Sequence, residues 1–468
     1  MLPLRSTPPQ QSIIVQYNTI MARRSVFFSL TLCFALLLPI SLATQTSQQQ
    51  HHQTACQLNN LQSLKPSDRV QSEAGLSEFW DVDENQLDCA GVAPARHTIQ
   101  PKGLLLPSYS NSPRLIYIIQ GSGVGGVVIP GCPETFQAGT RREGDEHQRL
   151  HSIHQGDIFA IPDGLSIWAY NDGDQPLIAV SILDISNDAN QLDRTPRRFF
   201  LAGSQSEGHH HRRGSSDSYK NIFNGFDTEL LVEALGVSME TVKKIQNVND
   251  KRGFIVKVDS LEMIHPRMEQ ERRRGSVDGN SENGMEDLFC KLQVVRNIDN
   301  PSLVDIYSRD GGHLTNLNGV KLSALQYIRL SAEKGYLRRG SMLAPHYNIN
   351  SHSIVYAVRG SARMQIVDHT GRSVFDGRIK EGEIIVVPQN YAVVKQADEE
   401  NEFEWIAFKT SQNAMTTSLA GKTSILRGLP EDVLVNSYGI SREEARTLKH
   451  GRELETSILR PISLSARM

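Results

Sequence analysis

Three landmarks occur twice, in the same order, and this duplication restricts the fold more than any other feature of the 468-residue chain. Leu115-Ile-Tyr-Ile-Ile-Gln-Gly121 is answered by Ile354-Val-Tyr-Ala-Val-Arg-Gly360, and Gly156-Asp-Ile-Phe-Ala-Ile-Pro162 by Gly382-Glu-Ile-Ile-Val-Val-Pro388. Phe226-Asp-Thr-Glu-Leu-Leu-Val-Glu-Ala-Leu-Gly236-Val-Ser238 aligns without a gap with Leu429-Pro-Glu-Asp-Val-Leu-Val-Asn-Ser-Tyr-Gly439-Ile-Ser441. Paired landmarks at this spacing mean two similar units in tandem. Each unit begins with short runs rich in Val, Ile and Tyr between Gly, Pro, Asn and Asp turns, an all-β sandwich or barrel pattern. Strands are expected at 115–119, 157–161 and 177–183, and again at 354–358, 363–367, 384–387 and 405–409. Each unit closes with a helix, a glycine at its C-terminal turn and a Ser N-cap opening a second helix. Ser441 and Glu444 have capping-box spacing.

The units meet in a polar stretch, 263–283, which carries the basic run Arg272 to Arg274 with Gly275 and Gly279. Such a composition reads as an exposed linker. The 49 Lys and Arg against 52 Asp and Glu leave a net charge of −3, which excludes a strongly basic nucleic-acid binder and argues against an electrostatic membrane binder. The charge is uneven. Residues 284–468 carry +2 and residues 44–283 carry −8.

Residues 21–43 have the layout of a secretory signal: Arg23-Arg24, an apolar run over 26–38 and the small-residue site Ser41-Leu-Ala43. Pro39 and the polar stretch 44–50 argue against a membrane span. Residues 1–20 stand ahead of that signal as an upstream extension of unclear status. Cys33 falls within the signal, leaving Cys56, Cys89, Cys132 and Cys290. An even number in an exported chain points to disulfides, with three pairings open. There is no Cys-x-x-Cys, no N-glycosylation sequon, no Gly-x-Ser-x-Gly elbow and no Walker loop.

The helix-Gly-x-Ser-helix unit at 229–246 resembles a DNA-binding helix-turn-helix, but the chain lacks the basic footprint. Leu230, Leu231, Ala234, Leu235, Val242 and Ile245 are read instead as packing positions, with an outward face available to a neighbouring subunit. His147, His151 and His154 lie in a polar segment running into a strand, and His209-His-His211 reads as a solvated loop. Neither is read as a metal site.

The paired β landmarks resemble the cupin superfamily, whose fold is a jelly-roll barrel. Its two motifs, G-x5-H-x-H-x3,4-E-x6-G and G-x5-P-x-G-x2-H-x3-N, supply three His and one Glu to a divalent metal. In the second unit Gly340 and Gly360 frame the first motif and His346 fits the first ligand position, but Asn348 and Ser353 replace the second His and the Glu. Gly382 and Pro388 match the second motif, while Val393 stands at its His and Ala397 at its Asn. In the first unit Ser108, Ser110 and Arg114 occupy the ligand positions; Gly156, Pro162, Gly164 and Asn171 match the second motif, with Ile167 at its His. One imidazole in one barrel and none in the other cannot hold a catalytic metal, and Arg114 would repel a cation. No metal, no other cofactor and no catalytic residue are expected.

The run Asn283-Gly284-Met-Glu-Asp-Leu-Phe-Cys290 is very similar to that of the legumin-type (11S) seed storage globulins, although Lys291 stands where that family usually has Ser or Thr. Cys56-Gln-Leu, Ile129-Pro-Gly-Cys-Pro-Glu-Thr-Phe136, His346-Tyr-Asn348 and Val386-Val-Pro-Gln-Asn-Tyr-Ala-Val-Val-Lys395 agree with it. The resemblance spans nearly all of the chain that follows the signal. It implies cutting by an asparaginyl endopeptidase after Asn283, with Gly284 starting the second chain. It implies a Cys132–Cys290 bridge across the cut and a Cys56–Cys89 bridge within the first chain. It further implies trimers that pair into hexamers, and passage through the endoplasmic reticulum to the protein storage vacuole. Of the three Asn-Gly dipeptides, Asn318-Gly319 looks like a hairpin turn and Asn224-Gly225 precedes a helix. Only Asn283-Gly284 follows a long polar stretch open to a protease.

The expected map is therefore an upstream extension at 1–20, a signal peptide at 21–43, an N-terminal cupin domain with helical arm at 44–258, a linker with the processing site at 259–283, and a C-terminal cupin domain with helical arm at 284–468. The fold expected is all-β dominated, two tandem jelly-roll barrels each followed by a short helical pair. The function expected is a nutrient reservoir with no nucleic-acid or membrane partner, which assembles with storage globulin subunits. The alternatives are a secreted bicupin that binds a small ligand or acts in defence, and a divergent metal-dependent cupin enzyme.

Overall fold

The duplication reappears in the strand register of the computed structural model. It describes residues 56, 58–129, 150–204, 220–247, 250–259, 261 and 292–461. In the first half the strand Arg114–Gln120 pairs with Asp157–Ile161 so that Arg114 faces Ile161 and Tyr117 faces Ile158. In the second half Ser353–Val367 pairs with Ile384–Val387 so that Ser353 faces Val387 and Tyr356 faces Ile384. The two landmark pairs are thus the same antiparallel strand pairing used twice. Every strand pair described is antiparallel.

Among the described residues, the first half forms a seven-stranded and a six-stranded sheet, and the second half a single eleven-stranded sheet that curls nearly into a barrel. The Val295–Asn297 strand, from the second half, completes the edge of the seven-stranded sheet beside Asp157–Ile161. The expected strands 354–358 and 363–367 are one element, the 15-residue Ser353–Val367. A register shift between Ala357 and Arg359 bends it. Its first part pairs with Phe403–Lys409 and its second with Ala392–Ala397 and Ser373–Lys380, so one strand serves both walls.

The expected hairpin at Asn318-Gly319 is not one. Asn318 Oδ1 accepts from the amides of Val320 and Lys321, and the chain then enters the short helix Ala324–Ile328 before the next strand. Leu322, Leu325, Ile328 and Leu330 are buried there, so apolar burial overrides the turn preference of the dipeptide.

The helix pairs form as the sequence indicates. Thr228–Leu235 ends at Gly236 and Glu431–Tyr438 at Gly439, both left-handed, a conformation that costs glycine nothing. Ser238 caps Met239–Gln246, and Ser441 with Glu444 closes a capping box on Arg442–His450. Of the expected packing positions, Leu231 and Val242 are buried and Ile245 partly so, whereas Leu230, Ala234 and Leu235 are exposed.

One apolar cluster joins the halves. It holds Leu115, Tyr117, Ile158 and Ala160 from the first and Ile354, Tyr356, Ile384, Val386, Ile406 and Phe408 from the second. Two reciprocal polar contacts pin this junction. Arg96 Nη1 donates to Tyr356 Oη at 3.1 Å, and Lys334 Nζ donates to Tyr117 Oη. Lys334 is also paired with Asp299 at 2.9 Å and Glu404 at 2.7 Å, which satisfies a nearly buried ammonium.

A second cluster fills the C-terminal barrel around Leu343, Met364, Phe403 and Trp405. Gly335 lies directly opposite Trp405, and a Cβ at that position would overlap the indole. Gly335→Ala should therefore cost about 1–3 kcal/mol of stability by overpacking. Differential scanning calorimetry of the variant checks this, and an unchanged midpoint would refute the close approach.

Candidate functional site

The second barrel brings its four expected positions together. His346 and Val393 are direct cross-strand partners on Met342–Asn348 and Ala392–Ala397. Ser353 faces Lys409, whose Nζ donates to Asn348 Oδ1 at 2.9 Å. His346 is buried, with Nδ1 donating to the Ala344 carbonyl at 2.8 Å. The Asn348 amide nitrogen and the Ser353 hydroxyl are buried with no hydrogen-bond partner among the described residues.

The dominant group in this interior was not singled out in the sequence. Glu333, on Ser331–Leu337, is buried between two lysines: Lys409 Nζ stands 3.3 Å from its carboxylate and Lys395 Nζ 3.7 Å. Trp405 Nε1 donates to the same carboxylate at 3.2 Å, and Lys395 Nζ lies over the Trp405 ring, 4.8 Å from its centre. Burial pushes Glu333 up, but the ammoniums of Lys409 and Lys395 outweigh it and hold the carboxyl down at about 2. Burial draws Lys395 down to about 8. Burial, reinforced by Lys395, draws His346 down to about 4 and keeps the imidazole neutral.

This donor set does not fit a divalent cation. An ion beside His346 would meet one imidazole, an amide and a hydroxyl, with two ammoniums alongside and the single carboxylate already engaged by both. No group of three or more His, Cys, Asp or Glu placed to hold a metal occurs among the described residues. Among the described residues this interior fixes one carboxylate between two ammoniums.

In the first barrel Ser108, Ser110 and Arg114 are buried, and Ile167 faces Ser108 across adjacent strands. The expectation that this barrel holds no imidazole is corrected: His97, on Val92–Ile99, is buried inside it, with Nδ1 2.9 Å from Ser77 Oγ. His97 lies outside both cupin motifs, so a search by motif position passes over it. His151 packs edge-on against Phe159, and His154 Nδ1 stands 3.8 Å from Asp157. Cys56 and Cys89 are joined in a disulfide. Cys132, Cys290, Asn283, Gly284, His147 and His209 to His211 lie outside the described residues, as do residues 1–55.

Comparison with known proteins decides the family. The cupin family matches residues 61–207 and 296–446. The chain is 46% identical over 447 residues to the 11S globulin seed storage protein Ana o 2.0101 of Anacardium occidentale, covering 91% of this chain and 97% of that one. The chain belongs to the 11S seed storage globulins. Two similar solved structures are procruciferin, an 11S globulin from Brassica napus, and the recombinant pro-11S globulin of pumpkin. They are 38% and 42% identical to this globulin, each with a TM-score of 0.77, and cover 87% of it and 98% and 100% of their own chains. The expected two-barrel storage globulin is thereby established, and its function is seed storage. Among the described residues no helix of this globulin is long and apolar enough to cross a membrane.

Proposed function

We propose that this globulin is made as a precursor with the division of domains read from the sequence, is cut once after Asn283, and then serves by accumulation and digestion, without turning over a substrate. The observation that carries the single cut is the state of the other two Asn-Gly dipeptides. Asn224 lies in the 3-10 turn Ile222–Gly225, and its amide nitrogen donates to the Gln246 carbonyl. Asn318 holds the turn that leads into a buried helix. An endopeptidase needs extended chain in its cleft, and neither segment offers it. Asn283-Gly284 follows the polar linker, and cutting there separates an acidic chain from a basic one, still joined through Cys132 and Cys290. Two similar structures, procruciferin and the pumpkin pro-11S globulin, carry precursor names, which supports the reading.

Both helix pairs expose large apolar side chains: Leu230, Leu235 and Met239 on the first, Val433, Tyr438 and Leu448 on the second. Such faces support assembly through the arms into trimers that pair into hexamers after the cut. Entry through the endoplasmic reticulum to the protein storage vacuole, with an asparaginyl endopeptidase as processing enzyme, completes the proposal.

Electrophoresis of protein taken from mature seed tests it. One band near full size without reductant should resolve into two with it, and sequencing of the smaller should begin at Gly284. A single undivided band after reduction would overturn the proposal.

A further inference from the structure

The first barrel buries a guanidinium that no described residue neutralises. Arg114 opens the strand Arg114–Gln120, is 5% exposed, and takes part in no side-chain hydrogen bond or ion pair with any described residue. The charged group acting on it is a second guanidinium, Arg198. Arg198 lies opposite Ser110 on the neighbouring strand, with Nη2 3.3 Å from His97 Nε2 and its guanidinium over the Phe79 ring. His97 is buried and held neutral by burial, with Arg198 and Arg114 adding to the effect. Ser110 Oγ donates to the Ser112 carbonyl, while the fully buried Ser112 hydroxyl has no partner among the described residues.

A desolvated cation without a counter-charge is among the most unfavourable features an interior can contain. The planar fork of arginine matches a carboxylate in bidentate geometry. Ile161 and Leu183, the direct cross-strand neighbours of Arg114, are both buried and apolar. The interior therefore offers one uncompensated positive charge, an unsatisfied hydroxyl close by in the chain, and a hydrocarbon wall.

We infer that the N-terminal barrel binds a small organic monocarboxylate, its carboxylate on Arg114 and its apolar body against Ile161 and Leu183. The position that would supply a carboxylate to a metal in a metal-binding cupin here receives a carboxylate from outside. This site is independent of the storage reading, since a reservoir protein needs no ligand.

Equilibrium dialysis of the full chain against radiolabelled benzoate at pH 7 and constant ionic strength tests it, with acetate, inorganic phosphate and chloride as competitors. The expected result is one saturable site per chain, displaced by acetate and not by chloride. Arg114→Met should bind at least tenfold more weakly while melting no lower than wild type, because it removes an unpaired buried charge. Arg114→Lys keeps the charge, loses the fork and should weaken binding about tenfold, and it carries the test if the methionine variant does not fold. No saturable benzoate binding, or equal binding by the variants, would overturn the site. Phosphate held in preference to both carboxylates would overturn the ligand class.

Discussion

The Glu333→Gln variant is expected to melt about 5 °C below the wild-type protein, a loss of about 3–5 kcal/mol. Glutamine keeps the shape and can still accept from Trp405, so the loss isolates charge from packing. It leaves Lys395 and Lys409, both buried, without the carboxylate 3.7 Å and 3.3 Å away that balances them. Replacing the whole set, with Glu333→Leu, Lys395→Met and Lys409→Met together, should recover most of the loss, because a buried ion cluster and a well-packed apolar one of equal volume are close in free energy. Calorimetry on the three proteins separates the cases. A Glu333→Gln midpoint within a degree or two of wild type would show that the ammoniums are relieved by some other group.

This cluster also marks where reading the sequence stops. The helix ends were legible because their causes are local: Gly236 and Gly439 stop one helix, and Ser238 and Ser441 start the next, within a few residues of chain. The paired strand landmarks were legible because the same β pattern occurs twice. Glu333, Lys395 and Lys409 come from three separate strands, and nothing near any of them in the chain signals the others. Glu333 and Lys334 are adjacent and both buried, yet one enters the barrel and the other crosses to Tyr117 of the first half. Strand alternation puts them on opposite faces, but only tertiary closure makes both faces interior. His97 and Arg114 also lie on separate strands, Val92–Ile99 and Arg114–Gln120, and nothing in the chain beside either one signals the other. The short helix after Asn318 depends on the burial of Leu322, Leu325 and Ile328, which the local turn chemistry of Asn-Gly does not register.

Acidification should loosen the second barrel before it reaches the carboxylate range. His346 is fully buried and titrates at about 4 in the folded chain, against an ordinary value of 6.5. Below pH 6.5 the unfolded chain takes up a proton that the barrel refuses, so stability falls progressively between 6.5 and about 4. The total is on the order of 3 kcal/mol. Glu333 adds a second loss lower down: its carboxyl is held at about 2 when folded against 4.5 ordinarily, so its contribution is complete above 4.5 and disappears as pH falls toward 2. The His346→Gln variant removes the first component and leaves the second. Its midpoint should drop less than that of wild type between pH 7 and pH 4, with the two curves running parallel below pH 4. Equal drops in both proteins across the upper window would show that His346 is not the group that titrates. Since cleavage of a folded chain follows the population of its open form, the same proton uptake would set how readily proteases enter the stored barrel, with digestion quickening as the surroundings turn acid.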